Sequence, residues 1–211
     1  MIGNVVVSTL RQVREGIAFI KDLDKDLTEV SMITGLTRDK TRELALEYAR
    51  LGAEMGKTVK EISEVNKELI RQGLALDVAK ERMEVILKLS AAARISTQDS
   101  LQIITSSVNA MGESAEKTSD VLLLAGAVSA SSAAQIGEAF TKTASSARST
   151  GMSMENLTAI LATLIETTQE SPSSLGNSIK FWWSINPVNC WNSLRAYMLN
   201  RKDEKCLYAY A

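Results

Sequence analysis

Thr58-Val59-Lys60-Glu61-Ile62-Ser63-Glu64-Val65-Asn66-Lys67-Glu68-Leu69-Ile70-Arg71-Gln72-Gly73 reads as one complete helix with both ends marked. Thr58 and Glu61 form a capping box, in which each side chain satisfies an orphan amide of the new helix. Val59, Ile62, Val65 and Leu69 then recur at helical spacing, while Lys60, Glu61, Glu64, Lys67, Glu68 and Arg71 fall largely on the other side. Gly73 stands where a left-handed residue ends a helix.

The same unit repeats as far as Thr168. Starts fall near Thr58, Asp77, Ser96, Ser114, Ser132 and Ser153, so each helix with its turn takes roughly 17 to 21 residues, a common length for globular helices. Expected inward faces are Ala79, Met83, Ile86 and Leu87; Leu101, Ile104, Val108 and Met111; Ile136, Phe140, Ala144 and Ala147; and Leu157, Ile160, Leu161 and Leu164. No strand pattern interrupts the series. The segment Val121-Leu122-Leu123-Leu124-Ala125 is apolar nearly all round, which places it at the centre of the core with Leu123 or Leu124 fully buried. Ala, Ser and Thr dominate from Ala91 to Ser149, allowing close helix approach with little area to bury.

Upstream, Val6, Leu10, Val13, Ile17 and Ile20 follow a 4-3-4-3 spacing, the mark of a narrow apolar seam on a long amphipathic helix. That seam requires a partner, in this chain or in another copy. It meets Asp24 and shifts to Leu23, Leu27 and Val30. Gly35 ends the helix, Thr37 caps a second one carrying Leu44, Tyr48, Leu51 and Met55, and Gly56 closes it. The fold expected is all-α: six to eight helices, stacked antiparallel through short turns in a bundle or solenoid-like array, behind a long N-terminal amphipathic helix. The divisions expected are 1–56 for the N-terminal helices, 57–170 for the helical core, and 171–211 for an atypical tail outside that core. After Lys180 the apolar spacing stops. All three tryptophans (Trp182, Trp183, Trp191) and both cysteines (Cys190, Cys206) crowd there, Pro187 would break a helix, and the aromatic side chains are expected to be largely exposed.

Composition narrows the function. With 45% hydrophobic and 23% charged residues the chain has an ordinary globular composition rather than a disordered one. Lys plus Arg total 24 against 25 for Asp plus Glu, interleaved, which offers nothing to nucleic acid or an anionic membrane. The Val121 to Ala130 run is about half of the roughly 20 residues a membrane span needs. Met1-Ile2-Gly3-Asn4 does not open a signal peptide, so the expected compartment is the cytoplasm. There is no histidine, hence neither the commonest catalytic base nor the commonest zinc ligand.

Three motifs tempt and fail. Gly52-Ala53-Glu54-Met55-Gly56-Lys57-Thr58 resembles a phosphate loop but has three residues between its glycines where four are needed, and it leaves a helix rather than a strand. Ser114-Ala115-Glu116-Lys117 has the Ser-x-x-Lys spacing of penicillin-recognising enzymes without the Ser-Asp-Asn and Lys-Thr-Gly partners, and reads as a helix start. Asp22, Asp24 and Asp26 alternate like a calcium loop, yet Leu27 and Ile33 stand where Gly and an acid are required. These three aspartates are expected on a solvated face, paired locally with Lys21 and Lys25. No catalytic, cofactor-binding or metal-ligating residue is assigned, no cofactor is expected, and the chain reads as a non-enzyme.

Several phrases carry a resemblance: Lys21-Asp22-Leu23-Asp24-Lys25-Asp26-Leu27-Thr28 leading into Val30-Ser31-Met32-Ile33-Thr34; Arg71-Gln72-Gly73-Leu74; Ser107-Val108-Asn109-Ala110-Met111-Gly112; and Ala144-Ser145-Ser146-Ala147 through Gly151-Met152-Ser153 to Ile165-Glu166-Thr167-Thr168-Gln169-Glu170-Ser171-Pro172. From about Ile17 to Lys180 the chain resembles the N-terminal core region of phage tail tape measure proteins. The resemblance implies a virion structural and assembly protein that lies in the tail tube lumen, sets tail length and is expelled before DNA. It also implies partners: tail tube and tail tip proteins, tail assembly chaperones, and other copies of the chain. The host cytoplasm during assembly and the tail lumen after it are the implied locations. The family's core region carries no catalytic or cofactor residue; muralytic domains of some members lie elsewhere in their chains. Family text would continue past Lys180 into a very long helical region, whereas Phe181-Trp182-Trp183 begins different text, so a truncated or frame-shifted fragment is expected. Without the resemblance, the residues alone describe a cytoplasmic helical adaptor that binds a peptide or another helix, as solenoids do.

Overall fold

A computed structural model describes residues 2–185, with side chains placed for Arg14 and 17–183. Nine helices and no strand make up the described residues: α1 (Ile2–Thr34), α2 (Arg38–Met55), α3 (Val59–Arg71), α4 (Leu76–Ala93), α5 (Thr97–Met111), α6 (Ala115–Val128), α7 (Ala133–Ser149), α8 (Met154–Thr168) and α9 (Pro172–Ile185). The all-α expectation holds, including the long N-terminal helix. The count exceeds the expected six to eight because a ninth helix follows Ser171.

Helix ends explain why the chain breaks where it does. Thr58, Ser96, Ser114, Ser132 and Ser153 are extended N-caps whose side chains accept from the backbone N–H three residues on. Thr58–Glu61 and Ser132–Gln135 complete capping boxes. Thr37 occupies the cap position of α2 without a side-chain hydrogen bond. Asp77 lies inside the first turn of α4 rather than at its cap. At the other ends, Gly35, Gly56, Gly73, Arg94, Gly112 and Gly151 all take positive φ. At Gly73 the ending is a full Schellman pair, with Leu74 N–H donating to the Leu69 carbonyl and Gly73 N–H to that of Ile70.

The chain forms two compact units, Met1–Glu84 and Val85–Ala211, which part within α4. In the first, α3 packs on both α1 and α2. Its core holds Val30, Leu44, Tyr48, Ile62, Val65, Leu69, Ala79 and Met83. Here Asn66 Nδ2 donates to the Tyr48 hydroxyl, both side chains being fully buried, and burial pushes the phenol pKa upward.

In the second unit, α5, α7 and α9 pack side by side as one layer, and α6 and α8 pack on that layer and on each other. The centre is α7, which touches α5, α6, α8 and α9, and buries Ile136, Ala139, Phe140, Thr143, Ala144 and Ala147. Small residues make this possible. A Cβ on Gly137 would come within 2.8 Å of Ile103 Cδ1, and one on Gly176 within 2.9 Å of the Ala139 carbonyl oxygen, so α5 and α9 both approach α7 closely.

The expected centre, α6, is thereby corrected: Leu122 is the buried leucine (1% exposed), Leu123 is half-buried and Leu124 is 46% exposed. Its apolar run is covered on one side only. The tail is corrected as well. Leu175, Ile179 and Trp183 follow at four-residue spacing along α9 and are buried, Trp183 to 2%, while Phe181 and Trp182 face outward. Residues 172–183 therefore belong to the core. Pro187, Cys190, Trp191 and Cys206 lie outside the described residues.

Candidate interaction surfaces

Of the three aspartates expected on a solvated face, Asp22 and Asp24 are exposed and Asp26 is buried. Asp22, Asp26 and Glu29 share one face of α1 and meet α3: Lys60 Nζ lies 3.2 Å from Asp22, Lys67 Nζ 2.5 Å from Asp26, and Arg71 Nε 3.6 Å from Glu29. Ser63 Oγ also donates to Asp26 at 3.1 Å. Asp26 is buried, and its charge is matched by Lys67 rather than by the neighbouring Lys25. A sequence-local reading misses this because the partners are 37 to 42 positions away. The flanking pairs are exposed and contribute little; the Asp26–Lys67 pair is the one whose disruption strands a buried charge.

The ladder also sets register. Partners rise together in both helices, so α1 and α3 run in the same sense and α3 begins beside Asp22. Residues 2–21 of α1, roughly 30 Å of helix at 1.5 Å per residue, extend beyond that start. Along the described part of this extension Ile17 and Ile20 are 62% and 65% exposed, and Phe19 is exposed too. From Leu27 onward the expected shift is seen, with Leu27 and Val30 buried.

A second apolar face belongs to α6, where Leu124 and Val128 are exposed one turn apart. On α9, Phe181 and Trp182 form a third. Between helices, Lys117 joins Glu113 (3.0 Å) and Glu155 (2.9 Å), tying α6 to the start of α8. A hydrogen bond from its own backbone N–H, then the Lys117 ammonium, holds the Glu155 carboxyl below its ordinary pKa. Arg148 Nη1 donates to the Met111 carbonyl and so closes the end of α5, a cation at a helix C-terminus.

The three tempting motifs resolve as local structure. Gly56 takes the left-handed conformation, its N–H and that of Lys57 both donate to the Gly52 carbonyl, and a Cβ on Gly52 would meet the Lys57 carbonyl oxygen at 2.6 Å. That glycine pair builds a turn. Ser114 accepts from the Lys117 N–H as a cap, while the Lys117 ammonium is engaged by the two glutamates. Asp22 and Asp26 are committed to α3. The described residues thus present surfaces made by helix packing, and three of them are apolar.

Residues 43–185 match the family model described as phage-related minor tail protein. The chain belongs to that family. The match takes in α3 to α9 whole and ends on the last residue of α9, so the minor tail region includes the Trp183 helix; α1 precedes it. No curated protein and no solved structure matches the chain. Membership of the minor tail family points to a structural role in a phage tail, in contact with other tail components, and to a non-enzymatic chain. No described helix is long and apolar enough to cross a membrane.

Proposed function

We propose that this minor tail chain is the N-terminal region of a tape measure protein, whose full-length form occupies the tail tube, sets tail length, and assembles with tail tube and tip proteins, tail chaperones and other copies of itself. Assembly would take place in the host cytoplasm, ending in the tail lumen. The observation that carries this reading is the coincidence of the family match at residues 43–185 with the tape-measure phrases from Ser107 to Pro172. Those phrases fall at the C-terminal ends of α5 and α7 and at both ends of α8, so the likeness follows helix boundaries rather than a surface motif.

Because the family match runs to Ile185, the departure from tape-measure text is proposed to lie after Ile185 rather than at Phe181. Downstream DNA read in the other frames should then recover long helical text. Rejoining it to the first 185 codons should give phage tails whose length changes by about 1.5 Å for each residue inserted or removed. Tails of constant length would refute the measuring role. Absence of such text in every frame would refute the fragment reading.

A further inference from the structure

We propose that α1 has two parallel registers on α3, one heptad apart, and that the buried Asp26–Lys67 pair selects the one observed. The inference goes beyond the tail reading and does not depend on it, since α1 precedes the family-matched residues.

The apolar contacts of α1 do not choose a register by themselves. Leu27 and Val30 are its buried apolar residues among those described. If α1 advances seven residues in its own C-terminal direction, about 10 Å, nearly the same face meets α3, with Ile20 in the place of Leu27 and Leu23 in that of Val30. Two of the three ion pairs also re-form. Glu15 takes the place of Asp22 opposite Lys60, and Asp22 that of Glu29 opposite Arg71. The half-buried Leu23 gives way to Gly16, which leaves space without a clash. Asp26 alone among the charged positions has no substitute, because Phe19 arrives there. Lys67, 2.5 Å from Asp26 and with its side chain only 20% exposed, would lose that carboxylate, and Ser63 would keep only the Lys60 carbonyl.

Other displacements are closed. Advancing by three residues brings Asp24 to the place of Leu27, and advancing by four brings Asp26 to that of Val30, each burying an acid at an apolar position. Movement the other way would stretch the short Gly35-Leu36-Thr37 connection to α2. A seven-residue advance instead slackens it, as residues 28–34 unwind into the connection. Few contacts oppose this: Met32 and Ile33 are 73% and 50% exposed, and Thr28 and Thr34 donate their hydroxyls to carbonyls of α1 itself, those of Asp24 and Val30. The result is a one-step ratchet of one helix along another, held by a single buried ion pair.

Cysteine pairs in a Cys190→Ser, Cys206→Ser background, joined within one chain by a short bis-maleimide, read the register. Asp22→Cys with Lys60→Cys reports the observed one, and Glu15→Cys with Lys60→Cys the advanced one. With Asp26 and Lys67 intact, only the 22–60 pair should cross-link. Asp26→Leu with Lys67→Met removes both charges and strands neither; it should give both cross-links in comparable yield, with residues 28–34 losing protection from hydrogen exchange. The charge swap Asp26→Lys with Lys67→Asp should restore cross-linking at 22–60 alone. An apolar double variant that cross-links only at 22–60, or an intact pair that cross-links at 15–60, would overturn the proposal. Loss of both cross-links in the double variant would overturn it too, by making the pair a requirement of folding rather than of register.

Discussion

Leu122 and Leu124 are two positions apart on one helix, yet the first is buried and the second is 46% exposed. Leu122→Ala should cost about 2 to 5 kcal/mol, the lost transfer energy plus a cavity, whereas Leu124→Ala should stay within about 0.5 kcal/mol. Denaturant unfolding of the two variants measures the contrast, and equal losses would contradict the placement of α6. Arg94 is a residue with a Cβ at a left-handed φ of 57°, in a position that four other joints fill with glycine. Arg94→Gly should therefore raise stability by about 1 kcal/mol, read as a higher urea midpoint.

Charge behaves as predictably. The Glu155 pKa is lowered in the fold, so its contribution is present above the ordinary carboxylate value and fades as pH falls through the depressed one. Lys117 is raised, so its contribution persists until pH climbs past the ordinary lysine value. Glu155→Gln should melt below the parent at neutral pH, with the gap closing on acidification; a constant gap would show that the carboxylate is not the source. At this scale the sequence was most legible where a residue acts on its neighbours, as at Thr58, Glu61 and Ser153. It was least legible for Asp26, whose partner Lys67 is distant in the chain.

Among the elements, the recurring joint is a left-handed residue, one further residue, and a Ser or Thr cap: Gly35-Leu36-Thr37, Gly56-Lys57-Thr58, Arg94-Ile95-Ser96, Gly112-Glu113-Ser114, Gly151-Met152-Ser153. Each joint stops one helix and starts the next within three residues. Five of six expected starts were readable because capping is local chemistry. Burial was not readable for α6, since an all-round apolar segment does not reveal which side is covered. Nor was it readable for α9, where an unusual aromatic cluster hid a continuing four-residue spacing. Trp183→Ala should cost about 3 to 5 kcal/mol, while Trp182→Ala should change little. A Trp183 variant as stable as the parent would return α9 to the status of an unpacked tail.

Taken as a whole molecule, each compact unit uses the same device: alternate helices lie side by side, α1 with α3 in one, α5 with α7 and α9 in the other, and the intervening helices cover them. Glycine sets the spacing among α5, α7 and α9, most tightly where Gly137 admits Ile103. Such an architecture presents helix faces, and among the described residues its outward apolar positions include Ile17 and Ile20, Leu124 and Val128, and Phe181 and Trp182. That suits a tail component, to which the family match assigns it. The most direct test is to purify virions from a host carrying this gene and search their tails by mass spectrometry for peptides from residues 43–185. The account predicts those peptides in assembled tails. Their presence in the lysate together with their absence from purified tails would contradict it.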